Sequence, residues 1–140
     1  MSQDPLFCPL RLGHFQLANR IVMPPMTRSR ASQPGDLANA MMATYYAQRA
    51  GAGLIIGEGT QIDPLGKGYA WTPGIHSAEQ VAGWKQVTDA VHAREGIMFA
   101  QLWHVGRVTH TDNIGGAQPI SSSAIRAEGV RVFVDNGSDS

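Results

Sequence analysis

Three short apolar runs, each ending in glycine or proline followed by polar residues, most constrain the fold of this 140-residue chain. They lie at residues 19–26 (NRIVMPPM), 53–62 (GLIIGEGTQI) and 96–104 (GIMFAQLWH). Because alternation between apolar and polar residues is absent, each run predicts a strand buried on both faces, as in a parallel sheet. The run centres, near residues 22, 55 and 99, are spaced as in a βαβ repeat.

The segment between the first two runs is predicted to be helical from about residue 37. Its apolar side chains recur at helical spacing: Leu37, Met41, Met42, Tyr45 and Tyr46. Gly51 follows as a C-terminal stop. Because methionine adapts to irregular gaps, Met41 and Met42 are expected to pack this helix against the sheet.

A second helix is predicted to begin after Ser77. Ser77 and Gln80 have the spacing of a capping box, which satisfies free backbone amides at a helix start. The apolar side chains that follow continue one face as far as Gly96: Val81, Trp84, Val87 and Val91.

The two ends of the chain have other patterns. Residues 6–18 alternate in part around Gly13-His14, which predicts a hairpin that closes one end of a larger sheet. Residues 19–108 then hold the three strands and two helices. From residue 109 to 140 the chain is rich in Gly, Ser, Asp and Asn, so a long loop is predicted, with one short strand at residues 130–134.

Two α/β architectures accommodate this pattern. A doubly wound sheet usually has a glycine-rich phosphate turn after its first strand, whereas here the first strand runs into PPMTRSR at residues 24–30. A (β/α)₈ barrel places its chemistry at the carboxyl ends of its strands, as this chain does, but needs about 250 residues. The prediction is therefore the first three strand–helix units of a barrel, in a chain that stops in mid-fold.

Charge and cysteine content narrow the class of partner. Eleven basic and eleven acidic residues cancel, so there is no electrostatic attraction to nucleic acid or to an anionic membrane. No apolar run approaches the roughly 18–20 residues that cross a bilayer. Cys8 is the single cysteine, and the first residues lack the pattern of a secretory signal. A cytoplasmic protein is predicted.

Polar groups follow each predicted strand and suit a neutral, planar ligand. Gln101 offers a donor and an acceptor to an imide-like edge, and Thr27 can donate to a ring carbonyl. Gly59 would let an aromatic ligand lie against the backbone. From the chemistry alone, an equally favoured alternative is that Thr27, Thr60 and Gln101 satisfy backbone groups of loops.

The charged residues and histidines near these strand ends favour structural roles. Glu58 is expected to pair with a cation such as Arg28 or Arg49. His104 and His110 have no cysteine or carboxylate partners at ligand spacing, so no metal site is predicted.

Residues 19–28 (NRIVMPPMTR) resemble the first barrel strand of the Old Yellow Enzyme family of FMN-dependent alkene reductases. Residues 45–50 (YYAQRA) with 53–56 (GLII) are similar to that family's first helix and second strand. Further similarities follow in the same order: residues 58–60, 66–69, 73–75, 84–85, 91–92 and 101–107. The resemblance is greatest to the bacterial branch that includes morphinone, nitrate-ester and N-ethylmaleimide reductases.

The resemblance implies a role for each matching residue. Pro25, Met26 and Thr27 would line FMN, with the Thr27 hydroxyl near the flavin O4. Gly59 would be the small residue packed by the flavin, and Gln101 would hydrogen-bond its pyrimidine edge. Two aromatic residues would line the substrate side: Tyr69 and Trp103.

The resemblance also implies the activity. NAD(P)H would reduce FMN, which would pass a hydride from N5 to an activated C=C bond of an enone or maleimide, with nitro compounds and nitrate esters as further candidates. The family's substrate-polarising pair, proton-donating tyrosine and phosphate contacts lie on later strands. This chain is therefore expected to hold no catalytic residue, to be inactive alone, and to be accompanied by the C-terminal remainder of the barrel as a second chain.

Two alternatives to a flavin-binding role are open. One is a non-catalytic half-barrel, a structural or interaction subunit whose partner chain holds the chemistry. The polar residues retained together at the strand ends, Thr27, Gly59 and Gln101, count against it. The other is a flavin-free barrel enzyme acting on a phosphorylated sugar, which the indole of Trp103 and the amide of Gln101 disfavour.

Overall fold

A computed structural model describes residues 4–135 of the chain. Two short strands come first, β1 (Leu10–Leu12) and β2 (Phe15–Leu17). The strands β3 (Val22–Met23), β4 (Leu54–Gln61) and β5 (Met98–Trp103) alternate with the helices α1 (Ala40–Ala47) and α2 (Ala78–His92). Single 3-10 turns lie at Pro5–Phe7, Pro64–Gly66 and Thr111–Ile114.

The predicted hairpin is present and contacts the main sheet. β1 and β2 pair antiparallel, with Leu12 opposite Phe15, and Gly13 has the positive φ of +58° that a tight turn requires. The Phe15 ring meets that of Phe99 edge to face, with centroids 5.2 Å apart. The hairpin therefore packs on β5, as expected of a segment that closes one end of a sheet.

The three predicted strands form one parallel sheet in the order β3-β4-β5. Strands that are consecutive in sequence are thus neighbours in space, as they are around a (β/α)₈ barrel. Met23 lies opposite Ile55, and Ile55 opposite Met98. Between Ile56 and Gly59 the register shifts, so β4 carries one residue more than β5 there.

The two helices cover one face of this sheet and form the core with it. The core side chains are Met23, Ala38, Met42, Tyr46, Ile55, Trp84, Val87 and Val91. Within it, the indole Nε1 of Trp84 donates to the Gly74 carbonyl at 3.1 Å.

Helix α1 is shorter than the sequence predicts, and it buries a different set of side chains. It ends at Ala47, before Gly51, and the side chain of Asn39 caps its start by accepting from the Met42 amide at 3.1 Å. Met42 is 2% exposed whereas Met41 is 65% exposed, so the expectation that both methionines pack against the sheet is wrong for Met41.

Helix α2 begins with the predicted capping box of Ser77 and Gln80. The predicted apolar face is confirmed at Trp84, Val87 and Val91, which are buried, and is wrong at Val81, which is exposed; Gly83 is buried as well. A Cβ atom at Gly83 would lie 2.5 Å from the Ala38 carbonyl oxygen, so the absence of a side chain lets α2 approach that backbone.

Two predictions about strands are wrong. Residues 130–134 form no strand; the Phe133 carbonyl accepts from the Ala70 amide at 3.0 Å in an otherwise irregular segment. β3 and β5 are not buried on both faces: Val22 is exposed, and so are Phe99 and Leu102. Val22 and Phe99 alternate with Met23 and Met98 of the helix side, so they lie on the face opposite the helices, where the Phe15 ring of the hairpin contacts Phe99. Within residues 4–135, no helix is both long and apolar enough to cross a membrane.

Candidate functional site

The predicted site residues come together at the carboxyl ends of β3, β4 and β5. Gly59 and Gln101 are paired in the β4–β5 register. Thr27 and Gly59 each lie four residues beyond the paired Met23 and Ile55. The Arg28 amide donates to the Glu58 carboxylate at 3.1 Å, which places the two segments side by side.

Of the three polar side chains at the strand ends, the structure uses only Thr60 to satisfy a described backbone group, as the alternative role requires. The Thr60 hydroxyl donates to the Glu58 carbonyl at 2.9 Å, so Thr60 is used structurally. The side chains of Thr27 and Gln101 are exposed and form no hydrogen bond with any described residue. Both are therefore available to a ligand at the end of the sheet.

An isoalloxazine ring fits this set of groups. Gln101 presents both a donor and an acceptor, Thr27 presents a hydroxyl, and Pro25 and Met26 add half-exposed apolar surface beside them. Such a combination of apolar surface with a few convergent polar groups is typical of cofactor sites. The assignment of these residues to FMN stays a prediction that the geometry permits.

Gly59 has a second reason to be glycine. A Cβ atom there would lie 2.5 Å from Cε3 of Trp103, so the indole rests directly against the Gly59 backbone. The Trp103 ring also lies 6.3 Å, centroid to centroid, from the ring of Tyr69. The two predicted substrate-side aromatics are thus neighbours, and Gly59 makes room for one of them.

Gly59→Ala is expected to displace the Trp103 indole and to lower the free energy of unfolding by about 1–3 kcal/mol, the usual cost of overpacking. In a Trp103→Ala background the same change should cost much less, because the clashing ring is absent. Urea unfolding of the two single variants and the double variant measures the coupling. Equal costs in the two backgrounds would show that Trp103 does not dictate glycine at this position.

Glu58 forms no direct ion pair with Arg28 or Arg49 within residues 4–135, although the charge of Arg28 opposes the rise in its pKa that burial causes. Its side chain is fully buried, and its carboxylate accepts from the Tyr46 hydroxyl and the Arg28 amide, each at 3.1 Å. Burial raises the pKa of Glu58, and both hydrogen bonds oppose that rise. Burial also raises the pKa of Tyr46, so this phenol stays protonated and donates. The Arg49 guanidinium lies instead over the Tyr45 ring, 3.7 Å from its centroid.

The segment that carries Tyr69 is fixed by contacts that the sequence analysis missed. The Lys67 ammonium pairs with Asp36 at 2.7 Å, and both side chains are largely buried. The Thr109 hydroxyl donates to the Lys67 carbonyl, and the Asn113 amide donates to the Gly68 carbonyl at 3.1 Å. These partners are 31 to 45 residues apart, so no local spacing could have indicated them.

The two histidines that follow β5, His104 and His110, accept hydrogen bonds from backbone amides. Nδ1 of His104 accepts from the Gly106 amide, and Nδ1 of His110 accepts from the Asp112 amide. Among residues 4–135, no group of three or more His, Cys, Asp or Glu side chains could hold a metal ion.

Comparison with known proteins gives a consistent result. The model of the NADH:flavin oxidoreductase / NADH oxidase family matches residues 5–135. The chain is 50% identical over 124 residues to 12-oxophytodienoate reductase 7 of Oryza sativa subsp. japonica, covering 87% of this chain and 31% of that protein. It is 48% identical over 124 residues to chanoclavine-I aldehyde reductase fgaOx3 of Penicillium roqueforti, covering 85% of this chain and 33% of that protein.

Solved structures agree with this result. Morphinone reductase in complex with tetrahydroNAD superposes with a TM-score of 0.90 at 48% identity, over 99% of this chain and 38% of that one. The Old Yellow Enzyme homologue from Zymomonas mobilis superposes with a TM-score of 0.91 at 44% identity, over 98% and 38%. The chain therefore spans about a third of the length of its relatives.

Proposed function

The chain belongs to the NADH:flavin oxidoreductase / NADH oxidase family, as the N-terminal part of an Old Yellow Enzyme barrel, and from this we propose that it contributes the FMN-lining strands of an NAD(P)H-consuming ene-reductase. The observation that carries the proposal is the pair of uncommitted polar side chains, Thr27 and Gln101, at the ends of strands in one parallel sheet. A purely structural strand has no need of such groups.

We assign the flavin contacts to five residues of this chain: Pro25, Met26, Thr27, Gly59 and Gln101. Bound FMN would supply transfer of a hydride from N5 to an activated C=C bond. The Gln101 amide would orient the ring by holding its pyrimidine edge, and the Thr27 hydroxyl would donate at the O4 side. The apolar surface of Pro25 and Met26 would keep water from that face.

We assign the substrate side to Tyr69 and Trp103. The indole is held by Gly59, and the segment of Tyr69 by Lys67 and Asn113, so both aromatics sit on fixed backbone. Relatives named as reductases of 12-oxophytodienoate, chanoclavine-I aldehyde and morphinone support an activated alkene as the substrate class. Enones and maleimides are the proposed substrates, with nitro compounds and nitrate esters as further candidates.

The remaining barrel strands, in the same polypeptide or in a second chain, would complete the site. The sheet exposes Val22 and Phe99 on the face opposite the helices and Leu102 on the other face of β5. β3 and β5 each have a neighbouring strand on one side only among the described residues. Exposed apolar side chains on strands with open edges favour association, so a covering partner accounts for both features.

A visible absorption spectrum with the intact mass of every polypeptide in the purified protein tests the proposal. A flavin band, together with cyclohexenone-dependent oxidation of NADH or NADPH, is the expected result. A colourless preparation that takes up no added FMN would contradict it and favour the alternative of a structural half-barrel. The masses identify which polypeptide carries the remaining strands.

A further inference from the structure

Glu58 links three parts of the structure through one buried carboxylate. Oε1 accepts from the Tyr46 hydroxyl on α1, and Oε2 accepts from the Arg28 amide beyond β3. The backbone amide of Glu58 donates in turn to the Tyr46 oxygen at 2.9 Å. Tyr46 thus makes two hydrogen bonds to Glu58, and its ring, 1% exposed, is immobilised in the core.

The segment after β3 needs such a link. The ladder between β3 and β4 ends at the pair Met23 and Ile55, and Pro24 and Pro25 have no amide hydrogen to extend it. Beyond that pair, the Glu58 carboxylate ties this segment to β4 by accepting from the Arg28 amide, and the neighbouring Ser29 amide also interacts with it. Thr27, which lies one residue before Arg28, is thereby confined between two fixed points.

We propose that Glu58, oriented by Tyr46, is a positioning residue that holds the Arg28 backbone and through it sets Thr27 at the flavin-facing end of the sheet. This inference rests on the proposed function for its consequence, although the geometry of the Arg28 segment does not depend on it. Glu58 touches no ligand in this role. It acts through the backbone, so its effect differs from that of a core side chain that contributes only packing.

The variants Glu58→Ala, Glu58→Gln and Tyr46→Phe separate these roles. Alanine removes the acceptor for the Arg28 amide. Glutamine keeps one acceptor oxygen for it, but its NH2 group then faces the Tyr46 hydroxyl, which loses its acceptor. Phenylalanine keeps the ring but removes the hydroxyl that orients the carboxylate. Matched controls are Tyr45→Phe, which keeps the ring that the Arg28 and Arg49 guanidinium groups contact, and the exposed carboxylate variant Glu128→Gln.

Hydrogen exchange of the Arg28 amide and the dissociation constant of FMN are the two readouts, measured on the purified protein. In Glu58→Ala, exchange should accelerate and FMN binding weaken, each by about tenfold, the effect of losing one hydrogen bond to a charged group. Tyr46→Phe and Glu58→Gln should each move both readouts in the same direction by less, because each keeps an acceptor for the Arg28 amide but loses the hydrogen bond from the Tyr46 hydroxyl. The two controls should leave both unchanged.

Unchanged Arg28 exchange in Tyr46→Phe and Glu58→Ala would overturn the inference, even if both variants were less stable. Should Glu58→Ala fail to fold, the comparison of Tyr46→Phe with Tyr45→Phe decides the same point. Failure of the proposed function looks different. A wild-type protein that binds no FMN would refute the flavin site, while the exchange of Arg28 would still report whether Glu58 holds this segment.

Discussion

Gly53→Ala is expected to destabilise the protein by about 3 kcal/mol or more, at the upper end of the range for overpacking. A Cβ atom there would lie 2.1 Å from the carbonyl oxygen of Asn19 and 2.9 Å from its carbonyl carbon. Because these are backbone atoms next to β3, no side-chain rotation can relieve the clash.

The clash would also disturb a hydrogen-bond node between the first two strands. The Asn19 side chain accepts from the Gly53 amide at 2.8 Å and from the Ile21 amide at 3.0 Å, and it donates to the Gly51 carbonyl at 2.9 Å. These bonds align the start of β3 with the start of β4. Moving Asn19 away from residue 53 would strain all of them together.

Urea unfolding of Gly53→Ala and Gly51→Ala forms a matched pair. A Cβ atom at Gly51 meets nothing within 4 Å, so this control should change the free energy of unfolding by less than about 1 kcal/mol. A Gly53→Ala variant as stable as its control would show that β3 and β4 tolerate a wider separation than the structure has.

Gln101→Ala is expected to weaken FMN binding by about 10- to 100-fold, because roughly 1–3 kcal/mol is lost when buried hydrogen-bonding groups lose their partner. The Gln101 amide makes no hydrogen bond within the described chain, so removing it should cost little stability. Fluorescence titration with FMN measures the binding, and thermal unfolding of the flavin-free protein measures the stability.

The control for this variant is Gln16→Ala on the hairpin, an exposed glutamine away from the carboxyl ends of the strands. It should leave FMN binding unchanged. A Gln101→Ala variant that binds FMN as tightly as Gln16→Ala would remove Gln101 from the proposed site.

The elements that the sequence predicts well are those whose cause is local. The capping box of Ser77 and Gln80 fixes the start of α2, and the run at residues 53–62 predicts β4 almost to its ends. Strand ends also mark Thr27, Gly59 and Gln101 as a group, since parallel strands bring their carboxyl ends to one edge.

The wrong predictions concern residues whose burial or hydrogen-bond partners depend on packing between segments that are distant in sequence. Met41 and Met42 are adjacent and equally apolar, and the position of α1 on the sheet decides which is buried. The Glu58 carboxylate accepts from a phenol and from the backbone amide of Arg28 rather than from a guanidinium group, because the core places Tyr46 beside it. Residues 130–134 have the composition of a strand, but among the described residues the Phe133 carbonyl accepts from Ala70 and Asn113, which lie in irregular segments.

The extra residue in β4 determines which side of the sheet each later residue of that strand faces. A Cβ atom at Gly57 would contact Trp84 of α2 and the Met98 side chain, which packs against the core on the helix side, and the next residue, Glu58, also points to that side, toward Tyr46. Two consecutive residues thus share a side, which reverses the alternation beyond them. Deleting a single residue at this point would restore strict alternation and turn Glu58 away from Tyr46. In this strand an insertion or deletion therefore changes which residues face the helices, whereas a substitution leaves that assignment unchanged.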